Sequence, residues 1–236
     1  MIFSTKLLDF NYDIHSHLLP NVDDGCKTIE ETINILRFMQ NKGVTDMYFT
    51  PHINLDIYNN KEEDLKQKFE QLKENLPTDI NINLHLAAEY MVDSGFEDRI
   101  KEGNLLCFNN NYVLIEMSYY YPSQNIKEAI FQLNLNGYIP ILAHPERYIY
   151  YSNNINELYD IKSMQCVFQL NLLSLFGVYG KKSICIIDKL IKNDKYKFIG
   201  SDCHSINQLE KIFSLKFPKK YKNYVSQLME NNQKLF

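Results

Sequence analysis

Short apolar runs alternate with helical patterns along most of this chain, and the alternation restricts the fold more than any other feature of the sequence. Predicted strands cover Tyr12–His15, Asp46–Thr50, Ile80–Glu89, Tyr112–Glu116, Ile139–His144, Cys166–Asn171 and Phe198–Asp202. Predicted helices cover Ile29–Asn41, Glu62–Asn75, Ile126–Asn136, Ile155–Ser163, Lys182–Lys192, Gln208–Phe213 and Lys220–Glu230. Strands separated by helices are typical of parallel βα units. Seven such units favour a closed α/β barrel over an open sheet.

Most of the predicted strands are continuous apolar runs, as residues 112–115 illustrate. Such runs suit parallel strands that helices cover. The chain length of 236 residues also matches one barrel domain, which uses about 200–250 residues. We therefore expect a single α/β domain over residues 1–236.

Polar side chains stand at the C-terminal ends of six apolar runs. Residues 112–116 end in Glu116, for example, and residues 139–144 end in His144. In α/β barrels the carboxyl ends of the strands carry the active site, so side chains that are distant in sequence converge there. The converging set is His15, His17, Asp24, His52, Glu89, Glu116, His144, Asp202 and His204.

These five imidazoles and four carboxylates predict a metal site. So many unpaired polar groups are costly to bury, and divalent cations would satisfy them together. Zinc, manganese and iron suit mixed imidazole and carboxylate donors better than calcium does. His15 and His17 lie two apart on a strand and therefore point to the same side. His85 lies four residues before Glu89, and we expect it to be hydrogen-bonded or exposed rather than a ligand.

The candidate ligands belong to short motifs that follow one another along the chain. The motifs are His15-Ser16-His17, Thr50-Pro51-His52, Ala88-Glu89-Tyr90, His144-Pro145-Glu146-Arg147-Tyr148 and Ser201-Asp202-Cys203-His204. They resemble the motifs of the PHP (polymerase and histidinol phosphatase) superfamily. Together with Asp23-Asp24-Gly25 they are most similar to its bacterial tyrosine-phosphatase branch, which is associated with capsule and exopolysaccharide synthesis. The resemblance extends from Tyr12 to about Ser205.

The resemblance implies a distorted TIM-like (β/α)7 barrel and a site for three divalent metal ions, with manganese favoured and iron or zinc as alternatives. One metal would bind His15, His17, Glu89 and Asp202. A second metal would share Glu89 and add Glu116 and His144. The third would bind Asp24, His52 and His204. Arg147 matches the family's phosphate-binding arginine.

The implied activity is that of a metal-dependent protein-tyrosine phosphatase, in which a metal-activated hydroxide attacks phosphorus in line. Asp24, His52 and Arg147 are the candidate catalytic residues. Tyrosine has a pKa of about 10 and is a fairly good leaving group, so a strong general acid is less necessary. Metal-bound water, His52 and Asp24 all remain open for that role. The implied partner is the tyrosine-rich tail of a membrane-anchored bacterial tyrosine autokinase.

Tyrosines follow two of the strand ends and predict contacts with a substrate ring. Arg147, Tyr121 and Tyr148 are the candidate substrate-binding residues. Residues 171–174 also close a strand, and they either line the mouth or pack as an ordinary loop. The family often has another arginine shortly after the Ser201–His204 motif, but this chain has none there. Lys211 could supply a charge, although a lysine does not reproduce the bidentate fork of arginine.

Several other classes of protein fit the sequence less well. None of the five cysteines has an arginine six positions later, which excludes the thiol chemistry of cysteine-dependent tyrosine phosphatases. A net charge of -4 argues against a PHP nuclease or phosphodiesterase. A phosphatase for a small metabolite such as histidinol phosphate remains an alternative. A non-catalytic binding module would show degenerate ligands, and none of the expected ligands is missing.

The sequence also predicts a cytoplasmic location and no membrane insertion. No apolar run approaches the roughly 20 residues that span a bilayer. Met1–Lys6 lacks the pattern of a secretory signal. The cysteines are odd in number and scattered, which suits a reduced protein.

Overall fold

The computed structural model describes residues 10–236, in which strands alternate with helices. The strands are β1 (Tyr12–Asp13), β2 (Asp46–Phe49), β3 (His52–Ile53), β4 (Asn83–Leu86), β5 (Glu89–Met91), β6 (Tyr112–Glu116), β7 (Ile139–Ala143), β8 (Val167–Asn171) and β9 (Tyr196–Gly200). The α-helices are α1 (Ile29–Asn41), α2 (Glu62–Glu74), α3 (Phe96–Glu102), α4 (Ile126–Leu135), α5 (Asn156–Ser163), α6 (Lys181–Lys192), α7 (Ile206–Ser214) and α8 (Lys222–Asn232). Met1–Lys6, where no secretory signal is predicted, lies outside the described residues.

All strand pairs are parallel, and the strands follow one another around a ring. Hydrogen bonding defines two sheets, with the orders β1-β2-β4 and β3-β5-β6-β7-β8-β9. Residues 46–53 supply both β2 and β3, and residues 83–91 supply both β4 and β5, so each stretch runs from one sheet into the other. A parallel bridge between Ser16 and Cys203 then joins the chain after β9 to the chain after β1. Seven extended stretches therefore complete the ring.

Two clusters of buried apolar side chains hold the ring and its helices together. The larger cluster lies between strands and helices, and it includes Leu36 of α1, Ile130 of α4 and Ile187 of α6. The smaller cluster takes side chains from around the ring, among them Tyr48, Leu114, Ile141 and Phe198. Because its members come from several sides, this cluster fills the interior of the ring, as in other α/β barrels. Apolar side chains thus fill the interior of the ring, and the polar groups lie at the carboxyl ends of the strands.

The predicted α/β fold with parallel strands is confirmed, and the seven predicted helices lie within two residues of observed ones. Helix α1 has the predicted bounds and begins with the capping box of Thr28 and Glu31. The single strand predicted over Ile80–Glu89 is wrong, because the chain leaves one sheet after Leu86 and enters the other at Glu89. Strand β3 and helix α3 were not predicted; α3 is short and lacks a side-chain cap. Within residues 10–236, no helix has the length and apolar character needed to cross a bilayer.

Candidate metal centre

The nine predicted ligands come together at the carboxyl ends of the strands in four overlapping groups. In each group, one ligand atom per residue lies within 4.8 Å of the others. The groups are His17, Asp24, His52 and His204; His15, His17 and Asp202; His15, Glu89 and His144; and His52, Glu89 and Glu116. Because the groups share members, they form one continuous set, which we call the donor cluster. In the described part of the chain, His85 is the only histidine outside it.

Glu89 lies at the centre of the donor cluster and is fully buried. Its Oε2 is 3.3 Å from His15 Nε2, and its Oε1 is 3.0 Å from His144 Nε2. The same Oε2 is 3.2 Å from His52 Nδ1. Burial alone would raise the pKa of Glu89, but the facing imidazole of His15 and hydrogen bonds from its neighbours hold that pKa well below the usual range. A carboxylate placed in this way can bridge two cations.

Neighbouring acceptors fix the orientation of three imidazoles in the donor cluster. His15 Nδ1 lies 3.0 Å from Gln169 Oε1, and His17 Nδ1 lies 2.9 Å from Asp23 Oδ2. His204 Nδ1 lies 2.9 Å from the backbone oxygen of Asp202. Because these partners are acceptors, each Nδ1 can donate a hydrogen to its partner, and Nε2 is the ring nitrogen that faces the cluster. Metal-binding histidines are oriented by such outer partners in most sites.

Some buried atoms of the donor cluster face one another without forming a hydrogen bond. Among the described residues, His52 Nδ1, Glu89 Oε2 and His144 Nδ1 are buried and lack a hydrogen-bond partner of acceptable geometry. His52 Nδ1 is nevertheless only 3.2 Å from Glu89 Oε2. Burial opposes protonation of His52, yet the facing carboxylate of Glu116 raises its pKa to about 9. The carboxylates of the donor cluster thus favour positive charge beside them. The residues present therefore fit divalent cations.

The side chains of the donor cluster differ in exposure: those that we call the floor are buried, and those at the edge are accessible. The side chains of His15, His17, Glu89 and His144 are fully buried. At the edge, 53% of the Asp24 side chain and 24% of the His204 side chain are exposed. Asp24 Oδ1 lies 3.5 Å from His204 Nε2 and 3.4 Å from His52 Nε2. A substrate that enters from solvent therefore meets these three residues first.

The grouping differs in one respect from the arrangement that the resemblance implies. The resemblance places Glu116 with His144, whereas here Glu116 Oε1 lies 2.9 Å from His52 Nδ1. His144 instead joins Glu89 and His15. Glu89 belongs to both groups, so its expected shared position agrees with the geometry. That these nine residues bind metal stays a prediction at this point.

Two buried polar residues tie the first and last strands together next to the donor cluster. Asp13 Oδ2 accepts a hydrogen bond from Ser201 Oγ at 2.6 Å, and Asp13 Oδ1 accepts from Ser201 N at 3.0 Å. His17 N donates to Cys203 O at 2.8 Å across the same junction. Burial raises the pKa of Asp13 to about 6, although its hydrogen bonds from Ser201 lower it. This junction brings His15 and Asp202 side by side.

The sequence reasoning did not identify Asp13, Gln169 and Asp23 as supports for the site. Asp23 accepts hydrogen bonds from Gly25 N and His52 N in addition to its contact with His17. Each of the three residues stood in a position that could have suggested its role. Asp13 and Asp23 flank predicted ligands, and Gln169 is a polar residue inside an apolar strand.

Arg147 lies beside the donor cluster between two tyrosine rings. Its Nη1 donates to Asp202 Oδ2 at 2.7 Å. The guanidinium carbon is 4.3 Å from the centre of the Tyr119 ring and 4.4 Å from the centre of the Tyr179 ring. We call Tyr119 and Tyr179 the aromatic clamp. Cation–π contacts on both faces hold the guanidinium plane in one orientation.

The predicted substrate contacts differ in how accessible they are. Tyr121 is 66% exposed and lies near the mouth. Tyr148 is fully buried, and its hydroxyl oxygen accepts a hydrogen bond from Met117 N at 3.0 Å. The buried position makes Tyr148 a support beneath Tyr119, since their ring centres are 6.0 Å apart. The tyrosine ring beside Arg147 is that of Tyr119, whereas substrate contact by Tyr121 and Tyr148 stays a prediction.

The remaining predicted positions fall partly inside the site and partly outside it. Asn171 donates from Nδ2 to Asp202 Oδ2 at 2.8 Å, so the segment after β8 supports the site. His85 lies on β4, packs against Tyr48 and reaches no member of the donor cluster. Lys211 is exposed on α7 and forms no ion pair within the described residues. Lys27 donates to the backbone oxygen of Asp23 at 2.6 Å, which places one ammonium group near Asp24.

A ring of parallel strands with imidazoles and carboxylates at its carboxyl ends defines the class of TIM-like α/β proteins with a candidate metal centre at that edge. Residues 11–235 match the family model described as capsular polysaccharide synthesis, CpsB/CapC. The chain belongs to this family.

Individual relatives agree with this assignment. The chain is 32% identical over 231 residues to CapC of Staphylococcus aureus, covering 94% of this chain and 89% of that protein. It is 29% identical over 196 residues to the tyrosine-protein phosphatase YwqE of Bacillus subtilis, covering 82% of this chain and 77% of YwqE.

One solved structure is similar over nearly the whole chain. It comes from work on YwqE of Bacillus subtilis and CpsB of Streptococcus pneumoniae, described there as metal-dependent tyrosine phosphatases. The TM-score is 0.75 at 28% sequence identity, over 93% of this chain and 94% of the other. The predicted TIM-like fold and the predicted branch of the PHP superfamily are confirmed.

Proposed function

We propose that this protein is a metal-dependent protein-tyrosine phosphatase, a phosphoric monoester hydrolase, and that residues 1–236 act as one catalytic domain. The observation that carries the proposal is the position of Arg147. Its guanidinium lies 2.7 Å from Asp202 of the donor cluster and is held between two tyrosine rings. Only one of its N–H groups bonds to Asp202, so others are free to bind an anion. The names of YwqE and CpsB support the substrate class.

We further propose that the donor cluster binds three divalent cations, manganese first, with iron or zinc as alternatives. The ligands would be the nine members of the cluster, with Glu89 shared between two cations. Mixed imidazole and carboxylate donors, and the Nε2 atoms that face the cluster, support this choice. Divalent cations in such a site neutralise phosphate oxygens and lower the pKa of water.

The residues of the chain divide the remaining work between them. Arg147 binds and orients the phosphoryl group, and its fixed plane lets it meet two oxygens at once. The buried floor of His15, His17, Glu89 and His144 excludes bulk water below the phosphate. The leaving phenolate needs little help from an acid because the pKa of tyrosine is about 10. Asp24 Oδ1 and His52 Nε2 are the accessible protein atoms that could hold a proton there.

We propose the tyrosine-rich tail of a membrane-anchored tyrosine autokinase as the partner, acting in polysaccharide synthesis, and a cytoplasmic location. Membership of the CpsB/CapC family supports the partner. The five cysteines are free, in keeping with a reducing compartment.

Removal of divalent cations is expected to abolish turnover of a phosphotyrosine peptide. Exhaustive chelation followed by metal-free buffer should reduce kcat below about 1% of the starting value, and added Mn²⁺ should restore it. Mass spectrometry of the metals before and after chelation gives the number of cations bound per chain. Full activity after verified metal removal would refute the proposal. Faster turnover of histidinol phosphate than of the peptide would favour the small-metabolite alternative.

Arg147→Ala removes the guanidinium and is expected to lower kcat/KM for the peptide by about a hundredfold, because the phosphate loses its protein-borne cation. Arg147→Lys should recover little of this loss, since lysine has no planar fork. Tyr179→Leu should cost about fivefold by freeing the guanidinium plane, whereas Tyr179→Phe keeps the ring and should stay within about twofold. Steady-state kinetics measure all four variants. Equal effects of Tyr179→Leu and Tyr179→Phe would contradict a role for the ring.

A further inference from the structure

Exposed apolar side chains concentrate around the mouth of the donor cluster. Ten large apolar side chains are exposed in residues 10–236, and seven of them lie on loops that follow the carboxyl ends of β3, β6, β7 and β8. We call these seven the apolar rim: Leu55, Ile57, Tyr119, Tyr120, Tyr121, Ile149 and Val178. Ile57 is 73% exposed and Tyr120 is 90% exposed. Exposed apolar side chains gathered at one place on a surface are a common mark of a binding site.

Hydrogen bonds between successive loops connect the members of the apolar rim. Leu55 N donates to Asp93 Oδ2 at 2.7 Å, which links the loop after β3 to the loop after β5. Ser123 Oγ donates to Val92 O at 3.0 Å and links that loop to the one after β6. Tyr150 OH donates to Ser118 O at 3.0 Å and adds the loop after β7. The loops that carry six of the seven rim residues are therefore joined on this side of the mouth.

Charged side chains are few on the loops of the rim, and one of them is Asp93 in the loop after β5. Residues 117–125, 148–155 and 177–180 contain no charged side chain, and Asp56 is the only one in residues 54–58. A nucleic acid would find no basic groups there to meet its phosphates. A small phosphorylated metabolite would sit on the donor cluster and leave the rim uncovered. A ligand that covers the rim therefore extends beyond the phosphoester, and the part of it that lies on the rim is uncharged.

We propose that the apolar rim binds the residues on either side of the phosphotyrosine in an extended polypeptide, and that it selects segments whose flanking side chains are uncharged and apolar or aromatic. This inference rests on the proposed function, because the phosphate anchors the segment at the centre of the rim. Ile57 and Tyr120 stand on the loops after β3 and β6, which lie on either side of the loop after β5, so they can contact side chains at different positions along the segment. Aromatic side chains give such contacts large area at low entropic cost.

The test uses the metal-loaded full chain with three substrates. They are free phosphotyrosine, a peptide with leucine and phenylalanine beside a central phosphotyrosine, and a matched peptide with serine at those positions. We expect kcat/KM for the apolar peptide to exceed that for the serine peptide by about tenfold. Ile57→Ser combined with Tyr120→Ser should remove most of this advantage through KM and leave free phosphotyrosine within about twofold. Phe131→Ser combined with Leu135→Ser removes exposed apolar side chains from α4 and serves as the control, with no change expected.

Other occupants of the rim give different results. A rim variant that lowers turnover of all three substrates equally, or of none, overturns the inference. A rim variant that keeps the peptide preference but changes the sedimentation mass also overturns it, because the rim would then bind a second copy of the chain. A rim variant that keeps the preference but no longer binds lipid vesicles does the same, because the rim would then bind a membrane. Failure to hydrolyse any of the three substrates would refute the proposed function. In that case, binding of the same peptides with a non-hydrolysable difluorophosphonate in place of the phosphate still tests the inference. The rim variant is expected to lose the preference for the apolar peptide in this binding measurement too.

Discussion

Replacing Glu89 with glutamine is expected to lower kcat for phosphotyrosine hydrolysis about a thousandfold, or ~4 kcal/mol of transition-state stabilisation. Glutamine keeps the shape of the side chain but removes the charge at the centre of the donor cluster. Its amide also presents hydrogens to imidazole nitrogens that lie 3.2–3.4 Å from Glu89 Oε2. The variant should also lose part of its bound metal, since no carboxylate remains to be shared.

Two measurements separate this effect from general damage. The metal content per chain, measured by mass spectrometry, should fall in Glu89→Gln, while the circular dichroism of the metal-free protein should match that of the original chain. His85→Asn is the control, because His85 is a partly buried histidine remote from the donor cluster. It should retain kcat within about twofold. If Glu89→Gln keeps its full metal content and more than a tenth of the original activity, Glu89 is not central to the mechanism.

Replacing Gly25 with alanine is expected to unfold the loop that supports His17 and to reduce activity at least a hundredfold. A Cβ atom at Gly25 would overlap the backbone carbonyl of His17, which has no flexible end that could move aside. The same carbonyl accepts a hydrogen bond from Cys26 N at 3.1 Å, so any shift breaks this contact. Overpacking against fixed backbone costs about 3 kcal/mol of folding free energy. A displacement of about 1 Å at a ligand can by itself cost a hundredfold in rate.

Gly95 provides a closely matched control for this prediction. It also follows an aspartate by two residues, and Gly95 N donates to Asp93 Oδ1 at 2.9 Å just as Gly25 N donates to Asp23 Oδ1 at 2.9 Å. A Cβ at Gly95 would meet nothing closer than 3.5 Å. Gly95→Ala should therefore be neutral or more stable by about 0.5 kcal/mol. Urea unfolding measures both variants; similar losses for the two would show that space at Gly25 is not the cause.

The arrangement of the site was predictable because it depends on local rules. Apolar runs that end in a polar residue place that residue at the carboxyl edge of a parallel sheet. This rule alone located His144 and Glu116, and the motifs added Arg147. The ring orientations of His15 and His17 were not predictable, since their partners Gln169 and Asp23 are identified only by the folded structure.

Other features depend on three-dimensional packing that leaves little trace in the sequence. The break between β4 and β5 falls within two alanines, Ala87 and Ala88, which suit a strand as well as a crossing between sheets. Tyr148 and Tyr119 both follow strand ends, and only packing decides that Tyr148 is buried while Tyr119 faces Arg147. The Asp13–Ser201 contact joins residues that are 188 positions apart, beyond any periodicity.

That same contact has a consequence for biosynthesis. Asp13, His15 and His17 are synthesised early. Ser201, which contacts Asp13, is synthesised 188 residues after it, and Asp202 and His204 follow directly. At ~5–20 residues per second, the delay is roughly 10 to 40 s. Until then the nascent chain lacks the last two donors of the cluster and the junction that orients them. If the donor cluster binds cations as proposed, a chain that ends before Asp202 lacks two of the nine donors and is expected to bind them weakly.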